Sequence, residues 1–193
     1  MHLSKSDILS MSKVERLNLI NSLSGIKPAN LVGTIDKIGR ENLAIFSSVV
    51  HLGSNPALFG FILRPQGEVR RHTLENILTT GIYTINFVST TFTQQAHYTS
   101  AKFDSTTSEF QKSNLTPEYF SDFGAPFVAE SPIKMGLRFK EEIAIPSNGT
   151  SLIVGEVEHV LLPKGIMDDL GHIDLGAHHI AGISGLNTYY SLT

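Results

Sequence analysis

The longest uncharged run in the chain, Leu43 to Leu63, ends directly on a basic segment holding Arg64, Arg70 and Arg71, half of the six arginines. A run this long raises the question of a membrane span. It contains Ser47, Ser48, His51, Gly53, Ser54, Asn55, Pro56 and Gly60, and its Gly-Ser-Asn-Pro cluster divides it into two strand-length pieces. It therefore predicts core strands, Asn42 to Leu52 and Ala57 to Leu63, of which the first is apolar on both faces and expected to be central. These strands lead into an anion-holding loop, Pro65 to Arg71, and a helix capped by Thr73 and ended by Gly81.

The rest of the chain supplies further strands. Leu31 to Asp36, Ile82 to Val88 and Ile180 to Leu186 have strand character. Lys134 to Ile145 and Thr150 to Leu162 flank Pro146-Ser147-Asn148-Gly149, and Asn-Gly is a strong hairpin signal. Thr90 to Thr99 reads as helix, Ser100 to Glu109 as mostly loop, and Leu115 to Glu130 as loop-rich. Six or seven strands without regular helix alternation argue against a doubly wound parallel sheet. They fit a mainly β fold, a closed or partly closed antiparallel barrel with short helical insertions. Before it, residues 1–29 form a helical extension, with Ser12 and Glu15 at capping-box spacing and a stop near Ser24-Gly25. Residues 30–193 form the barrel domain, a size that suits a single core.

Composition excludes several classes. The net charge of -3 gives no electrostatic case for nucleic acid or an anionic membrane surface. Without cysteine there is no disulfide, thiolate metal site or catalytic thiol. The polar N-terminus is not a signal peptide, which predicts a cytoplasmic protein. His172, Asp174, His178 and His179 cluster near the C-terminus, but without the helical i,i+4 histidine spacing of zinc helices, so no metal site is expected. No catalytic dyad or hydrolase motif stands out.

Three stretches could hold a ligand. Ser47 and Ser48 are adjacent, so on a strand they face opposite sides; each hydroxyl fits a ligand contact or an ordinary bond to a neighbouring carbonyl. Arg64 to Thr73 combines arginines with a helix start, an arrangement that holds phosphates, and equally describes a solvated loop partly neutralised by Glu68. Tyr98 to Phe103 joins hydroxyls, a lysine and aromatics, and also fits a helix end facing water.

The succession NLAIFSSVVHLGSNPALFGFILRP, RRHTLENILTTGIYTINFV and QAHYTSAKFDSTTSEF, followed by ESPIKMGLRFKEEI, GEVEHVLL and SGLNTYY, resembles the flavin reductase-like, FMN-binding split-barrel family. The resemblance covers roughly residues 30 to 190 and lies in the ordered set rather than in one motif. It implies a split β-barrel, a homodimer, and FMN bound near the subunit interface. It also implies electron transfer from NAD(P)H through FMN to free flavin, a partner protein or another acceptor, with the chemistry carried by FMN and no catalytic side chain. The alternative within the same fold is a non-enzymatic FMN-binding or electron-carrier protein reduced by a partner. Carried over, Ser47, Ser48 and Val49 would lie along the flavin. Arg64 and Thr73, helped by Arg71 or His72, would sit near the phosphate. Ser100, Ala101, Lys102 and Phe103 would close over the phosphate and ribityl chain, and Asn86 is a further candidate. Two stretches depart from the family pattern. Ser54-Asn55-Pro56-Ala57 stands where many relatives have Asp-Pro-Pro, and Arg71-His72 precede Thr73 where many have lysine or serine and then Asp.

Overall fold

Two short helices, α1 (Lys5–Ser10) and α2 (Lys13–Ser22), open the computed structural model, which describes residues 1–65, 72–101, 103 and 107–192. Both start in capping boxes, Ser4 with Asp7 and Ser12 with Glu15. The second is the expected one; the first uses Asp where Glu or Gln is usual. Neither helix contributes a buried residue.

The barrel follows. Strands β1 (Lys27–Pro28), β2 (Asn30–Ile35), β3 (Glu41–Phe46), β4 (Val50–Ser54) and β5 (Ala57–Leu63) precede helix α3 (His72–Thr80). After β6 (Ile82–Phe87) come the helices α4 (Thr93–Tyr98) and α5 (Glu109–Ser113), then β7 (Pro117–Phe120) and β8 (Phe123–Val128). The long strands β9 (Lys134–Ile145) and β10 (Thr150–Leu161), then β11 (Ala181–Ser184) and β12 (Thr188–Ser191), complete the chain. Among the described residues no helix is long and apolar enough to cross a membrane.

The main sheet has seven strands in the order β3-β2-β6-β9-β10-β5-β4, every pairing antiparallel. Its outermost strands, β3 and β4, are separated in sequence only by Ser47, Ser48 and Val49. A flat sheet of this size would hold its edges roughly 29 Å apart, whereas the link from Phe46 to Val50 reaches at most about 14 Å. The sheet must therefore curl until its edges meet, which makes the fold a split antiparallel β-barrel. Val32, Phe61, Tyr83, Ile85, Leu137 and Ile153 fill its interior, joined by Leu74 and Ile77 of α3. A second apolar layer joins Leu31 and Leu43 to Phe92, Ala96 and Phe110 from the α4–α5 region.

Several expectations need correction. Asn42 to Leu52 is two strands, because barrel closure takes the chain out of the ladder at Ser47 and back into it at Val50. Neither strand is central. The apolar character of β3 reflects its cover by α4 and α5, and Val50, His51 and Leu52 of β4 are exposed. Thr73 lies within α3 rather than capping it, since the helix starts at His72. The stretch from Leu115 to Glu130 holds the β7–β8 hairpin, and the C-terminal strand has a partner, β12. Gly81 does end α3, in a left-handed conformation (φ 74°) with its N–H bonded to Ile77 O at 2.8 Å.

Candidate functional site

Barrel closure leaves the Ser47–Val49 crossover outside the strand ladder, and among the described residues no backbone hydrogen bond uses the N–H of any of the three. All three are half-buried. Half-buried donors left without a protein partner favour a ligand that brings acceptors. The neighbouring surface is aromatic, with Phe46 and Phe59 partly buried against the barrel core. The two serines part roles. Ser48 Oγ donates to Ile62 O at 3.3 Å and accepts from Ile62 N at 3.1 Å, so its hydroxyl fastens the crossover to β5. The Ser47 hydroxyl makes no hydrogen bond to a described residue.

Arg64 follows directly on β5, two residues beyond Ile62, and is exposed. It forms no ion pair with a described residue, so its guanidinium is available to an anion. Arg71 and Lys102, and with them Arg70 and Glu68, lie outside the described residues. His72 opens α3 and lines a cleft of about 400 Å³. Thr73 is buried, and its Oγ1 accepts from Asn42 Nδ2 at 3.1 Å. Ser100 and Ala101 form an exposed turn after α4, and Phe103 meets Tyr98 edge-on with ring centroids 5.6 Å apart.

Asn86 is fully buried. Its Nδ2 donates to Leu31 O (3.1 Å) and Thr84 Oγ1 (2.8 Å), and its Oδ1 accepts from Val128 N (3.0 Å). These bonds tie β2, β6 and β8 together and occupy the whole amide. The carboxylates near the C-terminal histidines build turns: Asp168 accepts from Leu170 N and His172 N, and Asp174 from Gly176 N and Ala177 N.

Residues not anticipated from sequence line the cleft beside α3. Asn42 and Asn76 both donate to the buried Thr34 Oγ1, at 3.3 and 3.1 Å. Glu109 of α5 is 9% exposed and accepts from Leu43 N at 3.3 Å. Burial pushes its carboxyl above the ordinary glutamate range, while backbone N–H groups and His72 pull the other way. Asp36, Lys37, Arg40, Glu41 and Glu75 complete the charged rim, with Arg40 held to Asp36 at 2.8 Å.

Residues 26–181 match the model of the flavin reductase like domain. The chain belongs to this family. The split barrel is thus the fold of a flavin reductase like domain. A protein from Shewanella frigidimarina NCIMB 400, described as a flavin reductase with a split barrel domain, is 48% identical; it aligns over 100% of this chain and 96% of its own, with a TM-score of 0.96. More distant chains share the fold. Nitrilotriacetate monooxygenase component B from Bacillus cereus superposes at TM-score 0.87 with 18% identity, over 100% of this chain and 96% of that one. Flavoredoxin of Desulfovibrio vulgaris (Miyazaki F) superposes at 0.75 with 23% identity, over 88% of each chain.

Proposed function

We propose that the protein is an FMN-dependent NAD(P)H oxidoreductase, acting as a homodimer and delivering electrons to a second flavin, a partner protein or another acceptor. The observation that carries this reading is the crossover: the amides of Ser47, Ser48 and Val49, without a backbone partner among the described residues, lie beside aromatic surface, and Ser48 is bonded to Ile62, two residues before the exposed Arg64. FMN has the matching parts, a ring with an acceptor-rich edge and an anion at the end of a chain.

The flavin, when bound, supplies the two-electron chemistry. The protein's part is position and electrostatics. The crossover N–H groups hold the acceptor edge of the ring and favour added negative charge there. Phe46 and Phe59 keep water from its face. Arg64 holds the phosphate through charge-assisted hydrogen bonds, with His72 offering a ring donor at the start of α3 and the neighbouring Arg71 adding positive charge. Ser100 to Phe103, including Lys102, close over the connecting chain. Thr73 and Asn86 serve as framework, since their polar side chains are already engaged inside the protein. No side-chain acid or base is required. The exposed apolar side chains of Leu9, Val14, Leu17, Ile20 and Leu23 on the N-terminal helices support a dimer.

The test is an FMN titration followed by anaerobic addition of NADH and of NADPH. Tight FMN binding with bleaching of the flavin absorbance is expected. Protein that takes no FMN would overturn the reading, and FMN bound but not reduced by nicotinamide would mark an electron carrier fed by a partner.

A further inference from the structure

His97 of α4 and Tyr189 of β12 meet from distant parts of the chain. The Tyr189 hydroxyl lies 3.0 Å from His97 Nδ1, and the two rings stand edge to face, 89° apart with centroids separated by 5.9 Å. Among the described residues this is the one side-chain hydrogen bond that ties α4 to another element. Its direction follows from burial. The half-buried Tyr189 phenol is pushed up to about 12, so it keeps its proton at neutral pH. Among the described residues His97 Nδ1 is the one acceptor for that proton. The hydroxyl therefore donates, and the neutral imidazole carries its own proton on Nε2.

What the pair holds is the turn that follows α4. Ser100 N donates to His97 O at 2.9 Å and Ala101 N to Tyr98 O at 3.1 Å, while the buried Thr99 hydroxyl donates to Ala96 O at 2.8 Å. Tyr98 also carries Phe103 against its ring. Ser100, Ala101 and Phe103 thus ride on the last turn of α4, and a rotation of His97 about the helix axis moves them with it. The helix is short, six residues, and no side chain caps its start, so its placement depends on tertiary contacts. Phe92 and Ala96 seat it in the apolar layer with Phe110 and Ala181. Apolar packing is not directional; the bond to Tyr189 is, and it sets the rotation. We propose that His97 and Tyr189 are a positioning pair, through which the C-terminal strand β12 holds Ser100, Ala101 and Phe103 closed over the connecting chain of the bound flavin. This rests on the flavin reading above, and neither member of the pair touches the flavin in this role.

Three variants separate the bond from the packing. Tyr189→Phe keeps the ring and its edge-to-face contact and removes the donor. His97→Leu removes the acceptor, and His97→Asn returns an acceptor oxygen close to where Nδ1 stands. Stopped-flow fluorescence times the release of bound FMN from each. Tyr189→Phe and His97→Leu are expected to release FMN about three- to tenfold faster than wild type, the worth of one neutral hydrogen bond. His97→Asn should release it at close to the wild-type rate. A general loosening of the fold would not be repaired by asparagine, so the rescue separates positioning from stability. Nitrogen NMR of the histidine rings in the FMN-free protein reads the bond itself, with a bare Nδ1 and a protonated Nε2 expected for His97. Unchanged release in Tyr189→Phe, no rescue by His97→Asn, or a His97 ring protonated on Nδ1 overturns the proposal. Protein that takes up no FMN overturns the flavin reading and this role with it, and is told apart from those failures because the NMR result needs no FMN.

Discussion

Ser48 and Ile62 exchange hydrogen bonds in both directions: the serine hydroxyl donates to the isoleucine carbonyl and accepts from its amide. This pair fastens the link between the two outer strands and so holds the barrel closed. Ser48→Ala leaves two half-buried backbone groups without that partner and should cost about 1–2 kcal/mol. Ser47→Ala, which breaks no bond to a described residue, should stay within about 0.5 kcal/mol. Urea unfolding of the two variants checks this. Equal destabilisation would mean that the hydroxyl does not secure the crossover.

Arg64→Ala should weaken FMN binding by about 1.5–3 kcal/mol, roughly 10- to 100-fold in Kd. Lys5→Ala, at the start of the N-terminal helix, is the control and should leave it unchanged. Fluorescence titration at two salt concentrations measures both. An Arg64 effect no larger than that of Lys5 would remove Arg64 from the phosphate site.

The barrel was legible where turn chemistry fixed the register. Asn148-Gly149 pinned the long hairpin, and the sequence limits of β5 and β9 match the structure because Pro and Gly punctuate them. The break at Ser47–Val49 left no local mark, since Ser-Ser-Val continues a strand pattern and only closure of the distant edges forces the chain out. The β7–β8 hairpin was hidden by Pro117, Gly124 and Pro126, residues tolerated in a small outer ribbon but depleted from central strands. In the sequence the Ser48 hydroxyl fits either a ligand contact or a bond to a neighbouring carbonyl, and the structure shows the bond, to Ile62 O. Asn42, Asn76 and Glu109 were invisible as a group because a strand and two separate helices bring them together only in the folded protein.

Glu109 should make stability depend on pH. Its carboxyl titrates above its ordinary value of 4.5 in the folded protein, chiefly through burial. The native state therefore binds more protons than the unfolded chain between those two values. The sign follows: Glu109's contribution is fully present below about pH 4.5 and is lost as pH rises through the folded value. Glu109→Gln keeps an acceptor for Leu43 N and removes the titration. The difference in Tm between variant and wild type should thus shift in the variant's favour as pH rises from 4.5 toward neutrality. A difference that is flat with pH would show that the charged form carries no burial penalty.

Tyr83 and Gly155 are coupled inside the barrel. Tyr83 is fully buried and its hydroxyl has no hydrogen-bond partner among the described residues, while a Cβ added at Gly155 would collide with that hydroxyl and the ring carbon bearing it. Tyr83→Phe removes a polar group that burial leaves unpaid and should stabilise the protein by about 1 kcal/mol. Gly155→Ala should destabilise it by about 1–3 kcal/mol through overpacking. In the double variant the missing hydroxyl relieves part of the collision, so the two changes should fall short of additivity by about 1 kcal/mol in the stabilising direction. Chemical denaturation of the four proteins closes the cycle. Strict additivity would mean that the backbone at Gly155, rather than the Tyr83 side chain, absorbs the added methyl.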